Sequence, residues 1–209
     1  MRINRLLAFM SVAALAPLAR GGAQTCQGTA QFREGKARVG VDYQRSGDLD
    51  YYRAGIAYGV QGSFFGGVSV DKTQPSHGGA STTGFGGSVG YQFHWVETPF
   101  QVCPLVTLNY SSANGANTTS MGFGGSLGYR VEVQSGFDLV PAAGIRWMSN
   151  STSSSGSSSS VGSISSSEVF MNFGMVFHRV WSVVPGVLFP SPASAKTRWT
   201  FGLAYNWGT

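Results

Sequence analysis

The stretch Gly84–Trp95, Gly-Phe-Gly-Gly-Ser-Val-Gly-Tyr-Gln-Phe-His-Trp, alternates large apolar residues with very small or polar ones. Its odd positions are Phe85, Gly87, Val89, Tyr91, Phe93 and Trp95; its even positions are Gly84, Gly86, Ser88, Gly90, Gln92 and His94. Successive side chains of a strand point to opposite faces. The segment therefore reads as a strand with one aromatic face and one face of minimal side chains. A near-copy stands at Gly122–Tyr129, and a shorter pattern, small–apolar–small–aromatic, recurs at Gly55–Tyr58, Gly174–Phe177 and Gly202–Tyr205. Repetition of one strand pattern predicts a repeated hairpin and an antiparallel sheet of about ten strands.

The solvent of each face decides the architecture. In a soluble barrel or sandwich the face turned away from the core carries charged and long polar residues. Here that face is Gly, Ser and Ala, and only 11% of the chain is charged. Small residues suit a crowded interior, which leaves the aromatic face pointing outward, where only lipid accommodates it. A sheet is stable in lipid when it closes on itself and leaves no backbone edge unpaired. The expected fold class is all-β: a closed antiparallel up-and-down transmembrane β-barrel. Ten strands are expected, or eight if some proline-bearing segments of the second half are loops.

The N-terminus agrees with export. Arg2 and Arg5 precede an apolar run from Leu6 to Ala19 that ends in Arg-Gly-Gly-Ala-Gln, the charged start, apolar middle and small-residue end of a secretory signal. The run is shorter than the roughly 20 residues a membrane helix needs, and Pro17 interrupts it. The expected division is a signal peptide over 1–24, an N-terminal periplasmic segment over 25–35 and the barrel over 36–208. Losing Arg2, Arg5 and Arg20 with the signal lowers the formal net charge from +5 to +2. No basic stripe remains, so nucleic acid is not an expected partner. Two cysteines in an exported chain predict one disulfide. Cys26 precedes the first strand and Cys103 follows the turn Glu97–Pro99, and both are expected at the periplasmic rim.

Strands are expected at Lys36–Arg45, Asp50–Val60, Ser63–Asp71, Thr82–Trp95 and Phe100–Tyr110, then at Ser120–Val133, Phe137–Met148, Glu168–His178, Trp181–Phe189 and Arg198–Trp207. Pro104, Pro141 and Pro185 take equivalent outward positions in three of them, where a shared bulge is expected. Short turns alternate with longer polar connections, Lys72–Ser81, Ser111–Thr119, Ser149–Ser167 and Pro190–Lys196. Membrane barrels keep short turns in the periplasm and longer loops outside, so the Ser-rich Ser149–Ser167 is expected as a flexible external loop. Tyr58, Tyr91, Tyr129, Phe177 and Tyr205 then fall in a periplasmic aromatic girdle. Tyr43, Tyr52, Tyr110, Trp147, Phe189 and Trp199 fall in an outer one.

Alternation places Arg38, Arg53, Arg130, Arg146 and Arg198 on the inward face with Asp42, Glu132 and Asp138. Buried charge needs a partner, so a lumen closed by this charge network is expected, with a shallow positive vestibule where arginines outnumber acids. The alternative is a narrow, weakly anion-selective pore, because rings of Arg favour anions. A hydrolase is a third class and would need a His oriented by an acid near the outer rim. His94 and His178 lie at periplasmic strand ends, and His77 in a loop shows no Ser or acid in a recognisable order. No His or Cys pair has metal-ligand spacing, and the glycine runs lack the Lys-Ser/Thr ending of a phosphate loop. No catalytic residue, metal or cofactor is assigned.

The last strand alternates Trp199, Phe201, Leu203, Tyr205 and Trp207 almost to the end of the chain. With the repeated strand, this pattern resembles the OmpA-type and OmpX-type small outer-membrane barrels of bacteria. It departs from them in ending on Gly208-Thr209 instead of an aromatic residue. The resemblance implies a place in the bacterial outer membrane, outer-membrane lipid and the barrel-assembly machinery as partners, and a monomer with a structural or surface-interaction role.

Overall fold

A computed structural model describes residues 28–29, 35–60, 63–94, 100–113, 116–154, 161–191 and 196–207. The strands are β1 (Ala37–Ser46), β2 (Leu49–Gly59), β3 (Phe64–Pro75), β4 (Thr82–Tyr91), β5 (Phe93–His94) and β6 (Phe100–Ala113). They continue as β7 (Ala116–Tyr129), β8 (Val131–Gln134), β9 (Phe137–Ser154), β10 (Val161–Phe177), β11 (Trp181–Ser191) and β12 (Arg198–Trp207). β5 prolongs β4 past Gln92, and β8 prolongs β7 past Arg130, each in the register already set against its neighbour. The twelve segments thus make a ten-strand barrel. Every neighbour is antiparallel, and β12 closes the ring on β1 from Ala37–Trp207 to Arg45–Trp199.

Outward residues are those that the alternation selects. Val68, Phe85, Val89 and Phe123 are 59–63% exposed, since no other part of the described chain covers them. Cross-strand ring pairs mark the two girdles. The lower one contains Phe64–Tyr91, Phe100–Tyr129, Phe137–Phe177 and Trp181–Tyr205; the upper one contains Tyr43–Tyr52, Phe85–Tyr110 and Phe123–Trp147. Such pairs add roughly 0.5–1.5 kcal/mol each beyond area burial.

Two expectations are corrected. First, the outer connections are shorter than the composition indicates. β6 and β7 pair as far as Ala113–Ala116, and β9 runs for 18 residues to Ser154 while β10 begins at Val161. Roughly 9–11 residues cross a bilayer, so these strands stand well above it as a Ser/Thr ladder that includes a Thr118–Thr152 hydroxyl contact of 3.1 Å. Only the centre of the Ser-rich stretch, 155–160, lies outside the described residues. Second, the three prolines do not create bulges. The register is the same on both sides of each one. Each proline instead interrupts the ladder to the preceding strand, opposite Tyr91–Gln92, Tyr129–Arg130 and Phe173–Gly174 respectively, because it has no N–H to give.

The described turns at the end expected in the periplasm, β8–β9 and β10–β11, are tight. His178 and Arg179 take φ of 49° and 60° in the β10–β11 turn, the left-handed pair that matches hairpin twist. The His178 N–H donates to the Gly136 carbonyl at 2.6 Å, which ties this turn to the β8–β9 turn.

Candidate functional site

The site is the lumen, and its small residues do not leave it empty. Most inward glycines lie under a side chain from the next strand. A Cβ at Gly84 would stand 2.7 Å from the Asp71 carboxylate, one at Gly202 2.6 Å from that of Asp42, and one at Gly122 2.5 Å from the Thr107 hydroxyl. Asn109 covers Gly86, Asn172 covers Gly186, and the rings of Phe65 and Phe170 lie across Gly90 and Gly144. Glycine here is a seat: it lets a neighbour's side chain lie flat along the wall.

The charged residues named from the sequence face inward, but their partners differ from expectation. Glu168, missing from that set, is the centre of the network at 1% exposed. It accepts from Arg146 Nε at 2.8 Å and from Arg198 at 2.8 Å, with a second, shorter contact from the Arg146 guanidinium. Asp71 also points into the lumen, cross-strand from Arg53. Arg53 stands between Asp42 and Asp71 in the register and donates to the Tyr51 hydroxyl. The arginines are therefore matched by Asp42, Asp71, Glu132, Asp138 and Glu168, and the positive vestibule is not found among the described residues. At the periplasmic end Arg130 contacts both Asp138 at 2.8 Å and Glu132 at 3.6 Å. Arg38 is remote from that pair, on β1, and donates instead to Asn206 at 2.7 Å and Thr29 at 2.6 Å.

Between these groups lies a chamber of about 300 Å³, lined by Thr29 and Arg38 at one end and by Arg53 and Arg146 towards the other. That is room for roughly ten waters. Val184 lines the chamber too, and below it the wall stays apolar, with Val140 and Val176 inward and buried. The only described residues ahead of β1's own turn, Gly28 and Thr29, lie inside the barrel: Gly28 rests on Gly174, and Thr29 lines the chamber.

Cys103 faces the same chamber at 2% exposed; Cys26 and the signal segment lie outside the described residues. His178 packs its ring over Gly136 in the turn contact described above. His77 has acidic company that spacing did not reveal: its Nε2 is 3.7 Å from Asp48, and Ser76 donates to Asp50 at 2.8 Å. A nucleophile must hydrogen-bond to its base, whereas this serine serves a different acid, and His77 and Asp48 are 84% and 71% exposed. Among the described residues no group of three potential metal ligands occurs.

No protein-family profile matches the chain, and no curated protein matches it at a significant level. Solved structures do match. The β-domain of the Bordetella autotransporter BrkA aligns with a TM-score of 0.54 at 13% identity, covering 83% of this chain and 98% of that one. The KdgM porin gives 0.44 at 14% identity, covering 82% and 99%. Ail, the attachment invasion locus protein of Yersinia pestis, gives 0.33 at 12% identity, covering 84% and 100%. At such identities the likeness is one of fold. A closed ten-strand sheet, apolar and girdled outside and small-residued inside, is a transmembrane β-barrel. This chain therefore has the fold of an outer-membrane β-barrel, as the BrkA β-domain does.

Proposed function

We propose that this barrel serves as a structural or surface-interaction element of the outer membrane, with a lumen that does not conduct in a sustained way. The observation that carries the reading is Glu168, which ties Arg146 on β9 to Arg198 on β12 along the lumen wall, past β11. Breaking such a buried pair strands a charge, so ions meet a closed network instead of free groups. The asymmetric Ser/Thr wall of β6, β7, β9 and β10 supports a role at the surface. In this reading residues 1–24 are removed on export, the barrel-assembly machinery inserts the chain, and it works as a monomer in lipid without catalysing a reaction.

The chamber favours a second reading, a narrow pore. The matched charges remove the ground for anion selectivity in it. Planar-bilayer recordings of the refolded protein separate the two. The closed reading expects a flat baseline with rare brief events, and long-lived open steps would overturn it.

A further inference from the structure

The chamber is wet at one end and dry at the other. Asp42, towards the end expected to face outside, is exposed. Arg38, Phe65, Cys103 and Ser126, at the opposite end, are only 2–9% exposed. Beside and beyond them Gln92, Gln101, Asp138 and Asn206 are 1–6% exposed, together with the valine wall of Val140, Val176 and Val184. Packed side chains thus close the lower end, and the chamber of about 300 Å³ is a blind well. That volume is enough for a small ligand.

Two charged groups in the well stand outside the Glu168 network. Asp42 is opposite Arg53 in the register, yet among the described residues no hydrogen bond or ion pair reaches its carboxylate. Arg53 donates to the Tyr51 hydroxyl, and its Nε has no partner. Neither group is locked in an ion pair, and as one acid and one base they cancel. An anion would meet Asp42, and a cation Arg53, as a like charge. The well therefore suits an uncharged guest.

The rest of the lining is of two kinds. Asn109, Asn172, Thr107 and Thr200 present amides and hydroxyls. Phe65 and Phe170 lie across Gly90 and Gly144, so ring carbon forms the wall there. A sugar ring has the same division: a face of C–H groups that rests on an aromatic ring, and a rim of hydroxyls that both donate and accept. A carboxylate beside a guanidinium serves such hydroxyls, the acid accepting and the base donating.

We infer that the chamber is an outward-facing binding site for a neutral monosaccharide unit, with Asp42 and Arg53 holding its hydroxyls and Phe170 its apolar face. This goes beyond the closed-lumen reading and shares with it only the closed lower end, so the two can fail separately.

The test is saturation-transfer NMR on the refolded full chain in detergent micelles. Glucose, galactose and N-acetylglucosamine are the probes, with glycine and citrate alongside. At least one sugar should bind, and its Kd should rise about tenfold or more in Asp42→Ala, which removes a charged acceptor. Ser88→Phe, which fills the chamber from β4, should abolish binding. A heat-dependent gel shift reports whether each variant has folded; if Ser88→Phe does not fold, Asp42→Ala and Phe170→Leu decide, and both should weaken binding. Failure of all three sugars to bind overturns the inference, as does binding that a folded variant leaves unchanged. Preference for glycine or citrate overturns the neutral class. Sustained conductance in planar bilayers with sugar binding intact would sink the closed-lumen reading and leave the site standing in an open bore.

Discussion

Arg198 on β12 donates to Glu168 on β10 at 2.8 Å, reaching past the intervening strand β11. Cross-strand neighbours meet by register alone, but this pair does not. It forms because Glu168 is fully buried while its other oxygen is held by Arg146, so one acid satisfies two arginines.

Replacing that acid should therefore cost more than replacing either arginine. Glu168→Gln leaves two guanidiniums facing a neutral amide in a confined space. The expected loss is on the order of 3 kcal/mol, tempered because the arginine side chains are 25% and 31% exposed. Urea unfolding from lipid vesicles measures it. Glu168→Gln combined with Arg198→Met should lose less than the sum of the single changes; strict additivity would mean that the two groups do not interact.

The glycine seats give a sharper contrast within one strand. Gly90 lies under the Phe65 ring, whereas the outward Gly87 meets only a carbonyl 3.8 Å away. Gly90→Ala should destabilise by about 1–3 kcal/mol through overpacking, and Gly87→Ala should be near neutral. In a Phe65→Ala background the Gly90→Ala penalty should largely vanish. A penalty that persisted there would show that the seat is needed for backbone reasons instead.

These contacts also show what the sequence could and could not reveal. The ten strands and both girdles were legible because lipid demands an unbroken apolar set on one face, and Phe85, Val89 and Tyr91 advertise it by alternation. Above the bilayer both faces meet water, so the Ser149–Ser154 strand carries no alternation and read as loop. Glu168 was within reach, since the phase of Phe170 and Asn172 puts it inward. Its link to Arg198 was not, because that depends on registers across two hairpins. The valine wall also left a trace: Leu139-Val140, Met175-Val176 and Val183-Val184 are apolar on both faces, the mark of a strand buried on both sides.

The lipid face gives the next prediction. Val68 is 63% exposed and lies between the two girdles, paired with Ile56 and Gly87. Val68→Arg should cost about 2–4 kcal/mol in a bilayer, as charged groups do near the midplane of a barrel. The neighbouring Ser69 faces the chamber, so Ser69→Asn should be tolerated better. Vesicle unfolding titrations compare them, and a cost-free Val68→Arg would refute the outward assignment.

The last prediction concerns the proposed Cys26–Cys103 disulfide. Cys103 opens onto the chamber that Thr29 also lines, with Val184 and Asn172, the two side chains Gly28 approaches, on the same chamber. Cys26 stands two positions before Gly28 in the chain, a span of at most about 7 Å between Cα atoms. A disulfide joins Cα atoms roughly 4.4–6.8 Å apart. The closed loop of roughly 80 residues should stabilise the barrel by on the order of 4 kcal/mol in solution terms, and by less in lipid, where the inserted chain is already confined. The protein denatured without reductant should leave both thiols unalkylated by mass, and a reductant should expose both. Because Cys103 is almost wholly buried, reduction of the folded barrel should be slow compared with that of the denatured chain. Two alkylated thiols in the unreduced, denatured protein would exclude the bridge.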